Sequence, residues 1–333
     1  MSAVPLSSAR PVDVTAVWAG SELLVCCDRN GSGAAYRPAD DRWDRLPDSP
    51  FPGRTSVAAV WTGREVLLWG GTDAPGVSQA HADGMAYDPA GRRWRVIPPA
   101  PIGPRFGSDA VWTGTEMLVW GGLPQCCAID SVIHDPAAAA YDPVANSWRR
   151  LADVPPSWSG DDGSAATLVQ GNGRVWVWRR DHLGWYDATQ DRWVDAAPAP
   201  ALPAPEVLST ADPAAAAVLS GDDLLVWTGG ASGDLHGLAY RLPDGPWRRI
   251  ADAHGYVDAL SVGPGDRVFA ALSAPGGTRV LDYRVAQDRW RELDPPPLTM
   301  RRRVVTAWTG EELLVWGGYS DTGPVLDGAV YRP

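Results

Sequence analysis

One phrase is written three times in this chain: AVWTGREVLLWGG at 59–71, AVWTGTEMLVWGG at 110–122 and TAWTGEELLVWGG at 306–318. AVWAGSELLVCCD (16–28) has the same form, AVLSGDDLLVWTGG (217–230) is looser, and TLVQGNGRVWVWRR (167–180) and LSVGPGDRVFAALSA (260–274) are degenerate copies. A second half-motif follows each copy, in which a Trp stands seven residues after a Tyr. The pairs are Tyr36/Trp43, Tyr87/Trp94, Tyr141/Trp148, Tyr186/Trp193, Tyr240/Trp247 and Tyr283/Trp290, and a seventh tyrosine, Tyr331, stands near the end. Intervals between these tyrosines run from 43 residues (Tyr240 to Tyr283) to 54 (Tyr87 to Tyr141). A repeat of that period is one supersecondary unit that buries its apolar faces only by stacking on its neighbours.

Each unit reads as four short strands. The first ends near VWTG, a tight turn leads to EVLLWGG, a loop of variable length reaches GMAYDP, and another tight turn leads to RWRVIPP. Trp, Val, Leu and Tyr suit pleated, half-buried strands, and Gly and Pro fall between strands rather than inside them. The 36 Gly and 31 Pro among 333 residues could signal disorder. A hydrophobic fraction of 45%, delivered in short regular bursts, argues for many strands and turns instead.

Hydrophobic residues before a double glycine, with a spaced Tyr and Trp after it, form the pattern of the kelch repeat, and the resemblance covers essentially the whole chain. It implies an all-β, seven-bladed β-propeller with four-stranded blades at about 12–47, 57–98, 109–154, 165–197, 216–250, 258–294 and 304–333. Blades 1, 4 and 6 depart from it, with Cys27-Asp28, Arg179-Arg180 and Leu272-Ser273 at the double-glycine position. The last copy stops at AVYRP, and residues 2–6 align with fourth strands elsewhere. They are expected to complete blade 7 and close one inseparable domain, hiding a sheet edge. The resemblance is almost silent on function, because kelch propellers include enzymes, lectin-like modules and adaptors. Galactose oxidase has this fold, but nothing here matches its copper site residue by residue.

Net charge is −11, from 29 basic and 40 acidic residues, which argues against nucleic acid and anionic membranes as partners. No apolar stretch approaches a spanning helix, and MSAVPLSSARPVD lacks a signal-peptide pattern, so a cytoplasmic monomer is expected. The Ala- and Arg-rich, lysine-free style fits a GC-rich bacterial genome.

Turns between strands 1 and 2 and between strands 3 and 4 are short and alike, whereas the 2–3 loops and the blade-to-blade connections vary. Both variable sets project from the same end of the blades, which is where binding residues are expected. All five histidines map there: His81, His134, His182 and His236 to 2–3 loops, and His254 to the connection after blade 5. Cys26 and Cys27 end strand 2 of blade 1, and Cys126 and Cys127 fall in the 2–3 loop of blade 3. Thiolate with imidazole suits zinc, copper(I) or iron. Adjacent cysteines can equally form a vicinal disulfide or pack as small apolar filler.

Arg54, Arg105 and Arg301 stand seven residues before the first-strand Trp, and Arg10 one place further back in blade 1. The same register in blades 4, 5 and 6 holds Asp161, Asp212 and Gly255. Guanidinium forks there could grip carboxylate or phosphate, or could hold the blades together. Trp158, outside the repeat pattern, could stack on a ligand. These features point to a small polar or anionic molecule as ligand and lean toward an enzyme, with His81, His134, His254 and Asp161 as catalytic candidates. Arg54, Arg105, Arg301 and Trp158 would bind the ligand, and the four cysteines a transition metal. Two other readings fit the same residues: a module gripping an acidic peptide at the arginines, and a propeller resembling the kelch proteins that isomerise sialic acid.

Overall fold

The fold, in a computed structural model, is an all-β, seven-bladed propeller of four-stranded antiparallel blades with almost no helix. Residues 4, 15–28, 30–51, 53–73, 79–124, 136–158, 167–179, 182–196, 198–200, 215–229, 234–274, 276–294 and 298–332 are described. They divide into two compact units. One comprises 2–163 with 186–193, and the other 164–185 with 194–333.

In the first unit, blade 1 runs Thr15–Trp18, Leu23–Cys26, Ala34–Arg37 and Arg42–Arg45. Blade 2 runs Ala58–Trp61, Val66–Trp69, Gly84–Asp88 and Arg93–Ile97. Blade 3 runs Asp109–Trp112, Met117–Trp120, Ala138–Asp142 and Ser147–Arg150. Every residue of the second strands is buried, whereas the fourth strands are mostly exposed and rich in arginine. Charge on an outer strand protects an edge from pairing with another chain.

The alternation of side chains along a strand explains why strand 2 is apolar throughout. Leu67 and Trp69 join the core shared with blade 3, while Val66 and Leu68 join the core shared with blade 1. Both faces of the strand are therefore buried, and the third strands supply small partners such as Ala86 and Ala139.

The Tyr-x6-Trp spacing has a mechanical reading as well. Tyr and Trp pair directly across strands 3 and 4, with ring centroids 4.8 Å apart for Tyr87/Trp94 and 5.1 Å for Tyr141/Trp148. The Trp Nε1 then donates to the preceding blade, Trp94 to the Pro47 carbonyl at 2.9 Å and Trp148 to that of Pro98 at 2.8 Å. The Tyr hydroxyl donates to a turn residue five positions on, Tyr141 to Asn146 and Tyr186 to Asp191, each at 2.6 Å. Asn146 and Asp191 have φ of 50° and 47°, a left-handed conformation that Asn and Asp tolerate best after Gly.

In two joints of the first unit an arginine after the Trp completes the contact. Arg95 binds Glu65 with two nitrogens and donates to Tyr141 of the next blade at 2.6 Å. Arg149 does the same to Glu116, and reaches the Tyr186 hydroxyl at 3.3 Å. Burial and the hydrogen bond to Asp191 push Tyr186 up to about 12.

In the second unit, blade 4 contributes Thr167–Gly171 and Arg174–Arg179, with His182–Asp187 and Arg192–Asp195 completing its sheet. Blade 5 runs Ala215–Ser220, Asp223–Gly229, Asp234–Arg241 and Trp247–His254. Blade 6 runs Tyr256–Val262, Arg267–Ala274, Gly277–Arg284 and Arg289–Glu292. The same joint recurs there: Trp290 donates to the Ala251 carbonyl at 3.1 Å, Asp288 accepts from the Ala251 N–H, and Tyr283 donates to Asp288. Blade 7 shows Val305–Trp308, Leu313–Trp316 and Gly328–Tyr331, plus a short hairpin of Tyr319–Ser320 and Gly323–Pro324. The expected closing strand, residues 2–6, lies outside the described residues apart from Val4.

The double glycines turn the chain sharply after strand 2. Gly70 and Gly71 have φ of 71° and 86°, and a Cβ on Gly70 would stand 2.6 Å from the Arg105 carbonyl oxygen. Only glycine meets both conditions without strain.

Candidate functional site

The end of each blade that carries the 2–3 loop and the connection to the next blade is where the variable residues collect. Arg54, Arg105 and Arg301 all stand there, but they are 8%, 1% and 2% exposed. Arg105 donates to the carbonyls of Gly121 (3.2 Å), Ala137 (3.3 Å) and Ile102. Arg301 donates to the carbonyls of Gly317 (3.3 Å) and Thr299 (3.3 Å) and pairs with Asp327. Arg54 binds the Asp83 carboxylate at 2.8 Å and its carbonyl at 3.3 Å, with the Phe51 ring 4.1 Å from the guanidinium carbon. Burial pulls Arg54 below the ordinary guanidinium value, and Asp83 opposes that pull.

The residue just before strand 3 accepts in all three blades, Asp83, Ala137 and Asp327, and the backbone after strand 2 accepts as well in blades 3 and 7. Each arginine is a staple across the base of its own 2–3 loop. The sequence left open a ligand grip and a link between blades, and the observed bonds run mainly within one blade. A buried carbonyl needs a donor, and the guanidinium fork supplies several from one side chain.

His81 is held beside this staple in blade 2. Its Nε2 lies 2.8 Å from Asp73 Oδ1, its N–H donates to the Gly71 carbonyl, and its carbonyl accepts from the Arg105 N–H. Asp73 is 41% exposed, Asp83 29% and His81 20% on their side chains. An imidazole fixed by a carboxylate at one nitrogen offers the other as a hydrogen-bonding or proton-accepting group. No described residue bonds Nδ1 of His81.

Three other histidines stand on strands rather than in loops. His182 opens the third strand of blade 4, 3.0 Å from Asp195. His236 lies within the third strand of blade 5, 3.2 Å from Asp252, at a bulge where Asp252 also accepts from the Gly237 N–H at 3.0 Å. His254 closes the fourth strand of that blade, and its carbonyl accepts from Arg279. Strands here are longer because the 2–3 loops are shorter: in blade 6 the pairing runs as far as Ala274 and Gly277. The partner acids Asp73, Asp195 and Asp252 were not singled out by sequence. The only local signal was Asp73 directly after the Gly-Gly-Thr of blade 2.

Trp158, expected to stack on a ligand, is buried, edge-on to Trp193 with ring centroids 5.8 Å apart. It packs in the core because Pro155 to Trp158 form a tight turn, closed by a Trp158 N–H to Pro155 carbonyl bond, that folds the indole inward. Cys26 and Cys27 are joined to each other by a disulfide and buried in the core between blades 1 and 2. Cys26 occupies the place taken by Trp69 and Trp120 in the next two blades. A paired, buried cysteine offers a metal no thiolate. Cys126, Cys127, His134 and Asp161 lie outside the described residues. Among the described residues no group of three or more His, Cys, Asp or Glu is placed to hold a metal ion. No described helix is long and apolar enough to cross a membrane.

Comparison with known proteins agrees with the repeat pattern. No family model matches the sequence. An F-box/kelch-repeat protein of Arabidopsis thaliana is 29% identical over 153 residues, which is 41% of this chain and 38% of that protein. The human kelch repeat and BTB domain-containing protein 13 is 31% identical over 144 residues, 42% of this chain and 28% of that one. The match thus spans well under half of either relative. Among solved structures, a copper-bound fungal alcohol oxidase of the AA5 family superposes with a TM-score of 0.72 at 16% identity, covering all of this chain and 75% of its own. YjhT superposes with a TM-score of 0.58 at 15% identity, covering 99% and 97%. At these identities the solved structures speak for the fold alone. Repeat pattern, blade architecture and sequence similarity agree that the chain is a kelch-repeat β-propeller.

Proposed function

We propose that this propeller is a protein-interaction module whose loop ends receive a cationic segment of a partner. The observation that carries the reading is the distribution of charge at those ends. The three arginines expected to grip an anion are buried on backbone carbonyls, while the acids beside the histidines stay open, Asp73 at 41% and Asp252 at 50%. A net charge of −11 adds a long-range attraction for basic segments. The two relatives carry F-box and BTB names, and kelch homologues serve mostly as interaction modules.

The test is binding of fluorescent peptides of matched length, one Arg/Lys-rich and one Asp/Glu-rich, to the natural protein and to Asp73→Asn. The variant keeps the hydrogen-bonding shape and removes the charge. Basic peptide should bind and lose several-fold in affinity in the variant. Preference for the acidic peptide would return the argument to a cationic mouth.

A second reading rests on the Asp73–His81 pair at 2.8 Å, which has the geometry of a carboxylate-oriented base. It predicts turnover of a small molecule that His81→Gln abolishes while the fold stays intact.

A further inference from the structure

Strand 2 opens on an acid in five blades, at Glu22, Glu65, Glu116, Asp223 and Glu312. Four of these acids carry an arginine of the same blade: Arg95 on Glu65, Arg149 on Glu116, Arg248 on Asp223 and Arg332 on Glu312. Blades 4 and 6 place an arginine there instead, Arg174 and Arg267.

In blade 6 the arginine finds its anion inside the sheet. Asp282, on strand 3 just before Tyr283, is fully buried and accepts from Arg267 through both oxygens, from Nε at 3.1 Å and from Nη2 at 2.8 Å. In blade 4 the residue just before Tyr186 is Trp185, where blades 1, 2, 3 and 5 have Ala35, Ala86, Ala140 and Ala239. Val194 follows Trp193, where Arg95, Arg149 and Arg248 follow their own tryptophans. Arg174 therefore meets an aromatic face where Arg267 meets a carboxylate. Its guanidinium carbon stands 3.7 Å from the Trp185 ring centroid and 5.8 Å from that of Trp176. Trp176 is fixed in turn by its indole N–H, which donates to the Gly171 carbonyl at 3.1 Å.

Among the described residues no acceptor bonds the Arg174 guanidinium. Nη1 is closed off from solvent without a partner, whereas the Nε–Nη2 edge, unbonded as well, reaches water, and the side chain is half-buried. The neighbouring Gly173 also borders open space, since a Cβ there would meet nothing within 4 Å.

We infer that Arg174, backed by Trp185, is a binding site for the carboxylate of a small molecule. Stacking occupies the flat face of a guanidinium and leaves its in-plane N–H groups for hydrogen bonds. The Nε–H and Nη2–H groups run parallel and match the two oxygens of one carboxylate. Arg267 and Asp282 make that pairing through the same two nitrogens in blade 6. A net charge of −11 repels a run of acids more than a single carboxylate, so the ligand is a small monoanion rather than an acidic segment. The site lies at the turn end of blade 4 and is independent of what the loop ends bind.

The probe is acetate, with neutral acetamide of similar shape as the control and chloride holding the ionic strength. The full chain, carrying isotope-labelled arginine, is followed by its Nε–H signals in NMR. The Arg174 signal is the one that Arg174→Lys removes, and Arg174→Gln assigns it equally. Millimolar acetate should shift that signal saturably, acetamide should not, and the Arg267 signal, already on Asp282, should stay. Trp185→Ala restores the residue of the other blades and should weaken acetate several-fold; unchanged affinity would overturn the indole's part. No shift at Arg174, or one shared by acetamide or by every arginine, would overturn the site. A shift with inorganic phosphate and none with acetate would overturn the carboxylate assignment. A shift with micromolar Asp/Glu-rich peptide would overturn the small-molecule assignment.

Discussion

Replacing Arg105 by Met separates a structural staple from a ligand grip. The side chain is 1% exposed and donates to three carbonyls, those of Gly121, Ala137 and Ile102. Methionine fills much of the volume but leaves those acceptors buried without donors. A buried carbonyl left without its donor costs about 1–3 kcal/mol, so the loss of three donors should cost about 4 kcal/mol. Unfolding entropy near ~2 cal/mol/K per residue, taken over the whole chain, gives ~0.7 kcal/mol/K, so Tm should fall by about 6 °C. Arg150→Met is the control: its partner Asp153 is exposed like itself, and the change should stay below about 1 kcal/mol. The assay is calorimetric or fluorescence melting of both variants beside the natural protein, with circular dichroism to confirm the sheet content. An Arg105→Met variant that melts within a degree of the natural protein would refute the staple.

The remaining expectations follow from single contacts. Gly70→Ala should destabilise by roughly 2–4 kcal/mol, the left-handed backbone penalty plus displacement of the Arg105 carbonyl, whereas Gly103→Ala, at a similar φ of 74° in open space, should show the backbone penalty of about 1–2 kcal/mol alone. Tyr186, raised to about 12, contributes stability that is full below the free tyrosine value near ~10 and is lost as pH rises through the folded value. Tyr186→Phe should therefore flatten part of the alkaline limb of a urea-midpoint profile. Asp191, held low first by the Tyr186 hydroxyl and then by the Ala152 N–H, contributes stability present above the free carboxyl value and lost as pH falls through the folded one. Asp191→Asn should flatten part of the acid limb of the same profile.

The blades were legible because their causes are local. Alternation along VLLW and MLVW, a double glycine needing a left-handed backbone, and Tyr seven residues before Trp each act within a dozen residues. The joints were less legible, since Trp148 reaches the Pro98 carbonyl and Arg95 reaches Tyr141 across a full repeat. The arginine staples show the limit most clearly. Arg105 in sequence is a cation at the mouth of a strand, open to either a ligand or a scaffold. Its acceptors lie 16 and 32 residues further on, and only burial against them decides the role. Trp158 was expected to stack on a ligand because it breaks the repeat, yet a tight turn at Pro155 folds it into the core. Of the histidines expected in the 2–3 loops, His182 and His236 stand on strands, and the aspartate partners of His81, His182 and His236 come from 8 to 16 residues away, beyond what spacing alone reveals.

The central functional claim is that the loop ends present open carboxylates while their arginines are occupied. The most direct measurement is the affinity of the natural protein for the Arg/Lys-rich and Asp/Glu-rich peptides, each titrated at low and at high salt. The account predicts binding of the basic peptide alone, weakening steeply as salt screens the charges. Salt-sensitive binding of the acidic peptide instead would contradict it, because the arginines would then be available to a ligand after all.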